Sequence, residues 1–144
     1  MKKLLTAACL MMGLALSPVL AMADEPVTLY SQLGGKESIR TVMDDFVQRL
    51  KQDERIGDQF KFTNADRLAG LLTEQVCEAT GGPCTYSGRD MKSSHAGMVI
   101  TKAHFNALVE VLVDSLNAAK VPFALQTDIL ALLAPMHRDI ITER

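Results

Sequence analysis

From residue 29 onward, apolar positions recur at helical spacing, and no stretch keeps the two-residue alternation of a strand. Ile39, Val42, Met43, Phe46, Val47 and Leu50 follow three- and four-residue steps along one buried stripe, with Arg40, Asp44, Arg49 and Lys51 on the wet face. Leu29, Tyr30 and Leu33 predict a short helix ahead of it, ended by Gly34 and Gly35. Asp53 to Lys61 reads as a connecting turn presenting Ile56 and Phe60, with Phe62 just behind. Asn64 suits the N-cap of a helix burying Leu68, Leu71, Leu72 and Val76, which cannot continue through Gly81-Gly82-Pro83. The pattern then loses its period until Gly97, apart from one helical turn over Met91 to His95. Thr101 caps a long helix with Phe105, Leu108, Val109, Leu112 and Leu116, broken at Val121-Pro122. A last helix carries Leu125, Ile129, Leu132, Leu133, Met136 and Ile140, with a kink at Pro135. The fold class is all-α.

The first residues follow a different rule. Lys2 and Lys3 lead an apolar run from Leu4 to Leu20, and Ala21-Met22-Ala23 is a small-x-small cleavage site. An uncleaved anchor fits less well, because Ser17 and Pro18 interrupt a run already short of the ~20 residues that span a bilayer. A lipoprotein attached through Cys9 would have only a few apolar residues before it. Residues 1–23 are therefore expected to be a signal peptide and 24–144 one exported domain, periplasmic or secreted and free of the membrane after cleavage. Without Lys2 and Lys3, 13 of the 15 basic side chains remain against 17 acidic ones, a net charge of −4. With no basic patch or charge run, nucleic acid is not an expected partner.

Site chemistry gathers between Gly81 and Phe105. Three histidines are candidate ligands. His104 lies in the first turn of a helix beside Phe105, where a packing or rim role suffices. His137 sits near the end of the last helix, where a histidine meets the helix dipole favourably. His95 stands apart, in one isolated turn with Met91 four residues before it and Met98 three residues after. That setting suits a proximal haem ligand, whose neutral nitrogen must point at iron. No Cys-x-x-Cys, Cys-x-x-Cys-His, His-Glu-x-x-His, nucleophile elbow or phosphate-cradling loop competes. Cys77 and Cys84 bracket the Gly-Gly-Pro turn, and in an oxidising compartment a structural bridge ranks ahead of free thiols and of a redox switch.

These residues resemble the truncated haemoglobins, specifically group I, over Leu29 to about Ile141. The resembling motifs are LYSQLGG, DDFVQRL, Phe60 before the Asn64 cap, GGPCTYSGRDMKSSH, ITKAHF and LLAPMHRDI. The resemblance implies a two-over-two helical sandwich around one b-type haem, with His95 as the iron ligand. It implies haem contacts from Met91, Phe60, Phe46, Leu68, Leu72, Val76, Ile100 and Phe105. Tyr86 and Arg89 fall in the corner after the glycines, and the fork of donors on Arg89 suits a haem propionate.

Departures from the pattern shape the expected chemistry. The family usually places a tyrosine after the phenylalanine of the second helix, as a hydrogen-bond donor to bound oxygen; Val47 stands there. The usual polar partners of the distal helix are Leu68 and Leu72. Gln75 is the nearest polar side chain and is expected at the pocket rim. Loss of such a donor costs roughly 1–3 kcal/mol, so fast oxygen dissociation is expected. A haem vinyl link through His137, found in some relatives, is a minority expectation. The leading reading is reversible binding of oxygen or another diatomic gas by a non-enzyme with pentacoordinate ferrous haem. The alternatives are a periplasmic nitric oxide dioxygenase or peroxidase-like enzyme, which needs an unidentified electron donor, and a haem-free thiol redox or adaptor protein using Cys77 and Cys84.

Overall fold

A computed structural model describes residues 26–143 of the chain. The leader expected over residues 1–23 lies outside them. Seven α-helices occur among the described residues: α1 (Leu29–Gln32), α2 (Gly35–Gln52), α3 (Ala65–Ala79), α4 (Met91–His95), α5 (Lys102–Ala118), α6 (Phe123–Leu133) and α7 (His137–Ile140). Two 3-10 turns, Gly57–Phe60 and Ala134–Met136, join α2 to α3 and α6 to α7. No strand is present among these residues, and no helix is long and apolar enough to cross a membrane.

The starts of the helices are set by side chains the chain places there. The Asn64 carboxamide accepts the Arg67 amide, and the Thr101 hydroxyl accepts the His104 amide. His104 Nδ1 accepts the Thr101 amide in return, so this histidine closes a capping box at the head of α5. Gly34, at the N-cap of α2, and Gly35 after it have φ of 84° and 79°, a left-handed conformation open to glycine at little cost.

The core is the α2 stripe pressed against α3 and α5. Ile39, Val42, Met43, Phe46, Val47 and Leu50 are all buried, together with Ala69, Val76 and Cys77 of α3 and Ala107, Val111, Leu112 and Leu116 of α5. Having spent one face on α2, α3 shows Leu68, Leu71, Leu72 and Gln75 on the next stripe, each only half-buried. On α5, Phe105, Leu108 and Val109 are half-buried in the same way. Leu68, Leu72 and Leu108 pack against the edge of the closed core and remain only partly covered.

The last third of the chain departs from the expected single kinked helix. Pro135 lies inside a 3-10 turn that separates α6 from α7. Proline removes an amide donor and clashes with the carbonyl one turn back, so the α ladder stops there. Leu132, expected in the apolar stripe, is 43% exposed, while Gln126 is buried. The Gln126 amide donates to Asn117 Oδ1 at 2.9 Å and to the Val121 carbonyl at 2.8 Å, satisfying the α5–α6 turn from inside.

Candidate functional site

The chain from α3 to His95 is tied down at successive points. Cys77, fully buried in the last turn of α3, forms a disulfide with Cys84, with Cα atoms 5.7 Å apart. Between them, a Cβ on Gly82 would lie 2.5 Å from Cδ2 of Tyr30 and 2.7 Å from Sγ of Cys77, so only glycine fits. The Glu74 carboxylate accepts both the amide of Ser87 at 3.0 Å and its hydroxyl at 2.6 Å. Those bonds hold the Glu74 carboxyl below its ordinary range. The Tyr86 ring crosses Gly88 so closely that any side chain there would collide with it. The phenol donates to the Arg89 carbonyl at 2.9 Å, and burial pushes its ionisation up.

Asp90 then starts α4. Its carboxylate accepts the Ser93 hydroxyl at 2.7 Å and the Ser93 amide at 2.9 Å, which lowers its pKa. One turn later, His95 Nδ1 lies 2.7 Å from the Met91 carbonyl oxygen. A carbonyl can only accept, so Nδ1 carries the proton and Nε2 keeps its lone pair. An imidazole fixed in this tautomer by a backbone carbonyl is the arrangement that orients a metal ligand.

Gln75 joins three elements around this point. From α3 its amide donates to the Met136 sulfur at 3.3 Å and the Met91 sulfur at 3.7 Å. It is half-buried and turned toward α4 and the 3-10 turn. Leu68, Leu72, Phe60 and Phe105 are half-buried; Ile100, Phe46, Val47 and Val76 are buried. Val76 also lines a cleft of about 430 Å³ with Ile39, Val42, Met43 and Leu116, between the α1–α2 and α5–α6 ends. Arg89 is exposed, and no ion pair among the described residues engages it. The exposed His137 donates from Nδ1 to the Ala134 carbonyl at 2.8 Å and meets Phe105 edge-on at 6.2 Å.

The donor set distinguishes between metals. Among the described residues, no group of three or more His, Cys, Asp or Glu gathers to hold a bare ion. A single oriented imidazole fits instead a metal that brings four ligands of its own in a flat apolar ring.

Comparison with known proteins leads to the same group. Residues 28–142 match the family described as bacterial-like globin. The group 1 truncated haemoglobin of Mycolicibacterium paratuberculosis is 38% identical over 118 residues, covering 82% of this chain and 87% of that one. The Synechocystis group 1 protein is 31% identical, with 81% and 98% covered. A crystal structure of the Tetrahymena pyriformis truncated haemoglobin, Fe(III) form, aligns with a TM-score of 0.77 at 27% identity, over 81% of this chain and all of that one. The 2/2 haemoglobin of Synechococcus, whose haem is covalently attached, shares the fold with a TM-score of 0.76 at 24% identity, over 81% of this chain and all of that one. The chain belongs to the bacterial-like globins, among the group 1 truncated haemoglobins. Its architecture is the 2/2 globin fold, its cofactor is haem iron, and its general function is haem-based binding of diatomic ligands. That membership displaces the haem-free thiol reading.

Two features of the site have no readable signal in the sequence: the Gln75 bridge to two sulfurs, and a cluster of hydrogen bonds from Thr142 behind His95. Both join residues whose spacing gives no hint of contact.

Proposed function

We propose that this protein binds oxygen reversibly at a b-type haem whose iron is held by His95, in the periplasm or outside the cell after removal of residues 1–23. The observation that carries this reading is the 2.7 Å contact from His95 Nδ1 to the Met91 carbonyl, which leaves Nε2 as the ligating atom. When bound, haem would supply an iron able to coordinate a diatomic ligand, with His95 the residue that would hold it. Leu68, Leu72, Phe60, Phe105 and Ile100 would exclude water from the macrocycle, and the exposed Arg89 would be the donor to a propionate. His137 stays outside the iron chemistry, its Nδ1 proton committed to Ala134 and its ring packed on Phe105.

Binding is favoured over turnover by the distal residues. Val47, Leu68 and Leu72 carry no donor, and the Gln75 amide is engaged with two thioethers. Oxidation of nitric oxide relies on oriented, polarised oxygen and on a continuing supply of electrons from a separate donor. Oxygen titration of the chemically reduced protein tests the assignment. The expected result is repeated, reversible oxygen uptake and release, with no sustained nitric oxide consumption beyond one equivalent when a small-molecule reductant is present. Multiple rapid turnovers of nitric oxide would reverse the assignment.

A further inference from the structure

The segment that follows His95 is bonded to the very end of the described chain. The Met98 amide donates to the His95 carbonyl at 3.2 Å. The Met98 carbonyl in turn accepts the Thr142 hydroxyl at 2.6 Å. That hydroxyl oxygen accepts the Ile100 amide at 2.8 Å, and the amides of Thr142 and Glu143 both donate to the Ile100 carbonyl at 3.0 Å. One hydroxyl therefore joins two backbone groups between α4 and α5, and the chain end pairs with a third. From the opposite side, Gln59 donates to the Val99 carbonyl at 3.3 Å.

This segment needs such anchors. α4 has only five residues, and one turn of helix is not stable by itself. Upstream it is fixed by Asp90 and the disulfide-tied corner. Downstream, Ala96 leaves the helix in an extended conformation and Gly97 has a φ of 79°, so the Met98 amide is the local backbone group that holds His95 from behind. Met98 and Ile100 supply that hold, and both are bonded to Thr142.

We propose that Thr142 is a positioning residue for His95: its hydroxyl, fixed on Met98 and Ile100, sets where the imidazole stands and how firmly it bears on the iron. The proposal rests on His95 being the iron ligand. Removal of the hydroxyl would loosen the segment, weaken the hold of His95 on haem iron and speed release of haem. Serine keeps the oxygen and restores the hold; valine keeps the shape and loses it.

The test compares wild type with Thr142→Val and Thr142→Ser in the full mature protein. Three quantities are read: exchange of the Ile100 amide proton in the haem-free protein, the iron–histidine stretching band of the ferrous protein, and the rate of haem loss to an excess of an apoglobin acceptor. Thr142→Val is expected to speed Ile100 exchange, lower the stretching frequency, and raise the haem-loss rate about fivefold to tenfold, the worth of one net hydrogen bond. Thr142→Ser is expected to restore all three. An unchanged stretching band in Thr142→Val, with or without lower melting temperature, overturns the proposal, because a merely structural threonine would alter stability alone. Absence of a His95-dependent band in the wild-type protein would instead refute the ligand assignment, and Ile100 exchange would still report whether Thr142 holds the segment.

Discussion

Val47 and Leu72 carry only methyl groups, so under the proposed distal role neither offers a donor to a bound ligand, and the expected consequence is kinetic. A polarised ligand without a hydrogen bond lacks roughly 1–3 kcal/mol of stabilisation. Val47 is 1% exposed inside the core, so enlarging it adds strain to any gain. Leu72 is half-buried and tolerates change better. Leu72→Gln is therefore expected to slow oxygen dissociation about tenfold, measured by stopped-flow displacement with carbon monoxide. An unchanged rate would show that residue 72 does not face the ligand. His104 gives the complementary lesson: its nitrogen closes the capping box of α5, so a histidine with ligand chemistry is occupied by backbone.

At the scale of elements, the short helix α4 depends on what holds its two ends. The disulfide closes a separation of seven residues just ahead of it, worth about 2.5 kcal/mol by loop entropy. The double variant Cys77→Ala/Cys84→Ala is expected to melt about 10 °C lower in calorimetry. Equal melting would contradict a stabilising bridge. Asp90 contributes with a definite pH dependence. Its folded pKa lies below the ordinary aspartate value of 3.8 because of the Ser93 bonds, so its contribution is fully present above that value. The contribution fades as pH falls through the lowered folded value. The stability difference between wild type and Asp90→Ala should thus be largest near neutrality and shrink as pH falls below the ordinary aspartate value, as followed by thermal unfolding across pH. A difference that persists into acid would show that the carboxylate is not the active part of the cap.

Much of this architecture is legible in the amino-acid sequence alone. The α2 stripe, the Asn64 and Thr101 caps and the isolated turn ending at His95 are local signals, written in residues three or four apart. The same holds for the cysteines flanking a Gly-Gly-Pro turn, close enough along the chain to pair. What the sequence conceals depends on distant residues. Gln126 is buried because Asn117 and Val121 meet it, Gln75 reaches Met136 across 61 residues, and Thr142 reaches Ile100 across 42. The same limit applies to Leu132, whose periodicity is apolar but whose surroundings are solvent.

Across the whole molecule, one feature unites these parts. The buried core of α2, α3 and α5 is closed, while Leu68 and Leu72 at its edge and Phe105 on α5 stay half-buried. That division is what a protein needs to hold a flat apolar cofactor beside a closed core. The decisive experiment is the absorption spectrum of the purified protein in ferric, ferrous and carbon monoxide states, recorded beside His95→Ala. One b-type haem per chain is expected, with a five-coordinate ferrous spectrum that is lost or altered in the variant. A normal spectrum in His95→Ala would contradict the assignment of the iron ligand, since the iron would then be held by another residue.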